Sequence, residues 1–219
     1  MDWTWLDQSC YELTARIGNG AFSSVYRAKL KPKEGAFVAI KVMDLEHISS
    51  SFEDILQEVQ TMKMCDDPNI LRCFCSFVNA DQLWLVTELM DKGSCLRVMN
   101  VSKNLGMGDG MSEEWLAYIL REALQGLHYL HANGQIHRDI KSGNVLLDGQ
   151  GSVRLADFGV SGWTVNSGQR QKTVKTFVGT PVYMAPEVRK SLLPFQLPIS
   201  ASFPAPSRHP LNSLPTSSL

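Results

Sequence analysis

What this 219-residue chain lacks removes several classes of function at once. No run approaches the roughly 20 apolar residues that cross a bilayer, so membrane insertion is not expected. The opening Met-Asp-Trp-Thr-Trp-Leu-Asp has neither a basic head nor an uninterrupted apolar stretch, which argues against a secretory leader. Basic and acidic side chains nearly cancel, 21 against 22, and a net charge of -1 offers no electrostatic footprint for nucleic acid. Cysteine is scarce and odd in number: Cys10, Cys65, Cys73, Cys75 and Cys95 show no metal-ligand spacing and suggest reduced thiols in a cytoplasmic protein. Cys73 and Cys75 are expected on one face of a strand, as packing residues. No internal repeat occurs. The last 29 residues contain no acid but six prolines and seven serines. They show neither helical nor alternating periodicity, and the composition predicts a disordered tail over 191–219.

The remaining sequence is ordinary for a globular domain, 44% apolar and 20% charged. Residues 11 to about 88 read as strands at 11–17, 24–29, 37–43, 70–78 and 83–88, with one helix after Ser49-Ser50-Ser51. Ser51 caps that helix with Asp54 at its third position, and Ile55, Val59 and Met62 form its apolar face. Beyond Asp91-Lys92-Gly93 a short helix is predicted at 96–99, then a glycine-rich loop at 104–110. A long helix follows from its cap Ser112 to His131, ended by Asn133-Gly134. Its expected buried face is Leu116, Ile119, Leu120, Ala123, Leu127 and Leu130. Short strands fit 145–147 and 153–155.

Five short stretches carry chemistry, and they occur in order. Gly18-Asn19-Gly20, within Ile17–Val25, lets a hairpin approach a phosphate chain where a Cβ would obstruct it. A lone Gly-x-Gly is also any tight turn. Val38-Ala39-Ile40-Lys41 ends an apolar strand in a cation that needs a carboxylate to hold it. Glu58, beside the apolar face of the first helix, is the candidate, and Glu53 in the exposed first turn is the rival. Ile136-His137-Arg138-Asp139-Ile140-Lys141-Ser142-Gly143-Asn144 combines a base, a cation and an amide within nine residues. Here Asp139 orients or accepts a hydroxyl proton, Lys141 steadies a γ-phosphate and Asn144 binds magnesium, while His137 reads as a packed loop residue. Asp157-Phe158-Gly159 supplies a second magnesium ligand in Asp157. Ala185-Pro186-Glu187 closes the series. Thr87 is expected at the back of an adenine pocket, with Val25 and Ala39 above the base, the backbone of Glu88 and Met90 at its edge, and Leu146 beneath.

With these stretches in hand, residues 11 to about 189 resemble a eukaryotic protein kinase of the sterile-20 branch, nearest the oxidative-stress-responsive and proline-alanine-rich subgroup. Asn133–Asp139 and Lys175-Thr176-Phe177-Val178-Gly179-Thr180-Pro181 carry the subgroup likeness. Ser23 replaces the usual third glycine, which that subgroup tolerates. The resemblance implies an α+β bilobal fold: an N-lobe of five strands and one helix at 11–90, and a mainly helical C-lobe at 91–190, behind an extension at 1–10. It implies phosphoryl transfer from ATP, with Mg2+, to serine or threonine of protein substrates in stress or intracellular signalling. It also implies an upstream activating kinase acting on Thr176, with Arg138 receiving the new phosphate, Thr173 a weaker target, and Thr180 bonding near Asp139. The oligomeric state is left open.

A departure accompanies the match. After Glu187 the resemblance implies a buried helix whose aspartate braces the His-Arg-Asp backbone, and a later arginine partner for Glu187. Proline-serine sequence supplies neither, so the expectation is a truncated C-lobe. Leaving several hundred Å² of helix surface uncovered would cost about 10 kcal/mol at about 25 cal/mol per Å². The alternative reading is therefore a marginally folded or inactive fragment that binds ATP or a regulatory partner without turnover.

Overall fold

The computed structural model describes residues 7–20, 23–47, 59–106, 110–157 and 180–186. The chain divides into one unit at 1–184 and another at 185–219; of the second, only Ala185 and Pro186 fall among the described residues. The expectations for residues 1–6, Ser51, Glu53, Asp54, Ile55, Glu58, Phe158, Thr173, Thr176, Glu187 and the tail at 191–219 lie outside them.

Five antiparallel strands form the first sheet: β1 (Tyr11–Asn19), β2 (Ser23–Leu30), β3 (Phe37–Asp44), β4 (Cys73–Asn79) and β5 (Gln82–Thr87), in the order β1-β2-β3-β5-β4. Strand alternation divides β3 between two cores. Val38 and Ile40 point to an outer cluster with Tyr11, Leu30, Trp84 and Val86. Ala39 and Lys41 point the other way, into a cleft, and Met43 joins the inner cluster. Helix α1, described over 59–64, places Val59 and Met62 in that inner cluster, in line with the predicted apolar face.

Cys73 and Cys75 do not share a face. Cys73 pairs with Thr87 and Cys75 with Val86, so a bulge between them advances one strand by two residues against the other's one. Parity flips, and Cys73 enters the inner cluster while Cys75 enters the outer one, bonded to the Tyr11 hydroxyl at 3.4 Å. Burial pushes the Cys73 thiol up to about 12 and raises that of Cys75, so both are protonated packing groups.

The second half begins with β6 (Gly93–Ser94), which joins β7 (Val145–Leu147) and β8 (Val153–Leu155) in the order β6-β7-β8. Helix α2 (Cys95–Asn104) is longer than predicted; it starts at Ser94, whose hydroxyl accepts from the Arg97 N–H. Helix α3 (Glu113–Ala132) starts at Ser112, whose hydroxyl accepts from the Trp115 N–H, with Glu113 and Glu114 at its positive end. Of its predicted buried face, Ile119, Ala123 and Leu130 are buried and Leu127 is half-buried. Leu116 and Leu120 are exposed, continuing to Leu124 at 63% exposure. The helix is apolar on two flanks, and only the stripe through Ile119, Ala123, Gly126 and Leu130 is buried.

A seam joins the two halves. Leu155 donates to Asn69 O at 2.8 Å and accepts from the Leu71 N–H at 2.9 Å. Asn69 is 3% exposed, and its amide donates to Glu122 Oε2 at 2.9 Å and Val153 O at 3.2 Å. Helix α3 can approach because residue 126 is glycine: a Cβ there would lie 2.9 Å from Asn69 O and 3.1 Å from Leu155 Cδ1. Glycine in a helix interior costs about 1 kcal/mol against alanine, but overpacking a tight contact costs about 1–3 kcal/mol. Gly126→Ala is therefore expected to destabilise the domain by up to about 2 kcal/mol net, read as a lower urea midpoint at unchanged slope. A higher midpoint would contradict the close approach.

Candidate active site

The cleft between the halves has a volume of about 510 Å³. Its roof comes from strand register. Gly18 pairs with Val25, Val25 with Lys41 and Lys41 with Leu85, so four strands present one row of side chains to the cleft. Glycine at 18 keeps the row uncrowded, since a Cβ there would sit 3.3 Å from Val25 Cβ. Ala39 and Thr87 form the next register pair. At the hairpin tip, Gly20 N–H donates to Ser23 O at 2.7 Å, so the β1–β2 turn closes without a glycine at 23. Leu71, Met90, Ala156 and Leu146 pack together along the cleft as an apolar surface.

Every described residue expected around the nucleotide lines this space: Ile17, Gly18, Asn19, Gly20, Val25, Ala39, Lys41, Thr87, Glu88, Met90, Leu146 and Asp157, together with Lys141 and Asn144. Glu58 and Thr176 lie outside the described residues. Glu88 turns its carboxylate away to Arg154 at 3.0 Å and the Arg72 N–H at 2.9 Å, fixing the connection beyond β5. Lys41 Nζ is ion-paired with Asp157 Oδ1, partly exposed on both sides.

The loop at 137–144 is held by Ala156. Its N–H donates to Asn144 O at 2.9 Å, and its carbonyl meets His137 Nε2 at 3.0 Å. His137 Nδ1 accepts from the Asp139 N–H at 3.3 Å, so Nε2 carries the proton and donates. The imidazole is 1% exposed, and burial pushes it below its ordinary range, leaving it neutral. It is a brace rather than a base. Arg138 and Asp157 both adopt left-handed backbone, with φ of 64° and 58°.

Asp139 is the most heavily bonded group in the site. Oδ2 accepts from Lys141 Nζ at 2.6 Å and Asn144 Nδ2 at 3.0 Å; Oδ1 accepts from the Thr180 hydroxyl at 2.7 Å. Burial pushes the carboxyl up, but Lys141, Thr180 and Asn144 together outweigh it and hold Asp139 below the ordinary aspartate range. A carboxylate offers about four acceptor directions. Three bonds leave one open on Oδ1, enough for one substrate hydroxyl. The segment carrying Thr180 is docked a second time, by Tyr183 Oη at 2.9 Å from the Ser142 hydroxyl.

The donor set fits a hard divalent cation. The Asn144 amide nitrogen is committed to Asp139 O at 2.8 Å and to Oδ2, which leaves its oxygen for a ligand. Asp157 keeps one carboxylate oxygen beyond the one on Lys41. One carboxylate and one amide oxygen, completed by water and phosphate, suit magnesium.

Several residues of the cleft leave little mark in residue order. Ala156 works only through its backbone and leaves no side-chain signal. Ser94 lines the cleft from β6, which is two residues long and too short to show a period, and Arg97 lines it from the first turn of α2.

Glycine-edged roof, lysine–aspartate pair and multiply bonded loop aspartate stand together at this cleft, and the protein kinase domain family matches residues 11–192. The chain belongs to that family. It is 42% identical over 194 residues to germinal center kinase 3 of Caenorhabditis elegans, covering 85% of this chain and 32% of that protein. Against mitogen-activated protein kinase kinase kinase kinase 3 of Homo sapiens it is 42% identical over 181 residues, covering 83% and 19%. Against serine/threonine-protein kinase sid1 of Schizosaccharomyces pombe it is 42% identical over 184 residues, covering 84% and 37%. These relatives agree with a sterile-20-like kinase, and the chain spans between 19% and 37% of their lengths.

Because the Asp139 carboxyl is depressed, its contribution to stability is present above the ordinary aspartate range and is lost as pH falls through the lower folded value. Thr180→Val should move the Asp139 titration upward, and Lys141→Met should do so as well. Carboxyl carbon shifts followed through an acid titration measure both. An unchanged titration in the two variants would remove these bonds as the cause.

Proposed function

We propose that this domain transfers the γ-phosphoryl group of ATP to serine or threonine hydroxyls of protein substrates in intracellular signalling. The observation that carries the reading is the shared cleft of Lys41, Asp157 and Asn144, with Asp139 tied to the last through a direct bond.

Phosphoryl transfer asks mainly for positioning and charge neutralisation. Adenine would lie between Val25 and Ala39 above and Leu146 below, its edge against the backbone of Glu88 and Met90. Lys41 has three donor hydrogens; one serves Asp157, and two remain for the α- and β-phosphates. Asn144 and Asp157 would hold Mg2+, which when bound neutralises charge on the phosphate oxygens. Lys141, paired with Asp139 and lining the cleft, would offset the charge of the transferring γ-phosphoryl group with its cation. Asp139 offers its open Oδ1 direction to the acceptor hydroxyl, aims it, and takes its proton as the bond to the γ-phosphorus forms and the bond to the β–γ bridging oxygen breaks, releasing ADP. The depressed carboxyl stays ionised at neutral pH, so this acceptor is always available. Glu58 is the proposed carboxylate that steadies Lys41 from the first helix. Thr176 is the proposed site for an upstream kinase, and Arg138, adjoining Asp139, would pair with its phosphate.

Magnesium-ATP at one hundred times its Kd should stabilise the wild-type chain by about 2.7 kcal/mol, seen as a raised thermal transition. Asp157→Asn should lower phosphate transfer by at least about a hundredfold while leaving expression unchanged. Equal transfer by wild type and variant, in matched purified samples, would overturn the site assignment.

A further inference from the structure

The charged residues lining the cleft are Lys41, Glu88, Arg97, Lys141 and Asp157. Four are neutralised: Lys41 with Asp157, Lys141 with Asp139 and Glu88 with Arg154. Among the described residues Arg97 has no ion pair. It is exposed, in the first turn of α2.

Its position is built. Gly93 has φ of 75°, and a Cβ there would press on Arg97 Cδ at 3.0 Å, so the glycine both makes the turn and leaves room for the arginine stem. One residue earlier, the Leu96 N–H donates to Ser142 O at 3.0 Å, which ties the start of α2 to the loop carrying Asp139 and Lys141. Arg97 therefore stands where the apolar end of the cleft meets the catalytic loop.

A guanidinium presents a planar fork suited to carboxylate or phosphate ester. The nucleotide's own anionic groups are directed to the other end, to Lys41 and the oxygens of Asn144 and Asp157, and adenine and ribose are neutral. The anion that Arg97 is placed to meet belongs to the second substrate. We propose that Arg97 is a specificity-determining residue that selects protein substrates carrying an anionic side chain within a few residues of the acceptor hydroxyl. This rests on the kinase reading above and extends it to substrate class.

The test uses the full chain with magnesium and a non-hydrolysable ATP analogue. Fluorescent serine peptides carry glutamate, phosphoserine, glutamine or lysine at each flanking position in turn, and binding is read by anisotropy. Wild type should bind the glutamate or phosphoserine peptide about fivefold more tightly than the glutamine peptide at one position. The better of the two anions identifies an acidic sequence or a previously phosphorylated one as the natural target. Arg97→Gln should abolish the preference, and Arg97→Glu should transfer it to the lysine peptide at the same position. Phosphate transfer to the same peptides, as ratios within each variant, should follow the same order. No preference in wild type, or an unchanged preference in both variants, overturns the proposal. So does a loss of ATP-analogue affinity that accounts for the whole peptide effect. An Arg97-dependent binding order without transfer to any peptide would uphold anion selection and refute the kinase reading.

Discussion

The seam between Asn69 and Leu155 is the constraint on which the cleft depends. Two backbone hydrogen bonds at 2.8 and 2.9 Å join the segment entering β4 to the end of β8. The Asn69 amide adds α3 through Glu122 and a further hold on β8 through Val153. A buried amide left without partners would cost about 1–3 kcal/mol, so each bond favours this one arrangement. Gly126 lets the helix come close enough for it to form. Asp157 follows Leu155 by two residues, so the seam fixes where the cleft's carboxylate begins.

From there the constraint passes through one peptide unit. Ala156 gives its N–H to Asn144 and its carbonyl to His137, and both anchors belong to the loop that carries Asp139. The loop that carries Asp139 and Asn144 is thus anchored on the backbone of the residue next to Asp157. This anchoring leaves the side chains of Lys41, Lys141 and Asp157 free to make exchangeable ion pairs inside a rigid frame. Partly exposed pairs of this kind contribute little to stability, about 0–1 kcal/mol.

Most of the frame was legible in residue order. The apolar run ending in Lys41 marked a strand-end cation, which lies in the cleft, and the nine residues from Ile136 to Asn144 marked a loop that brings Lys141 and Asn144 to the same space. The Ser112 cap and the Asn133-Gly134 stop marked α3. What escaped has a common physical cause: it depends on partners distant in sequence. A bulge sends Cys73 and Cys75 to opposite cores, and no local pattern records the extra residue. The periodicity of α3 is apolar on two flanks, and only contact with β8 and Asn69 decides which is covered; Leu116 and Leu120 fell on the other. Asn69 itself reads as one more loop asparagine, because its importance lies in where it is buried rather than in what precedes it.

The left-handed backbone at Arg138 and Asp157 carries a consequence for how such a domain balances durability against work. A non-glycine residue in that region costs roughly 1–2 kcal/mol, and both positions adjoin the groups that would meet substrate. A chain optimised for durability alone would place glycine or asparagine at each. This one instead keeps a long cation and the cleft's carboxylate there, held by the Ala156 bonds and the seam behind them. The domain therefore trades a few kilocalories of folding margin for the direction in which two side chains point.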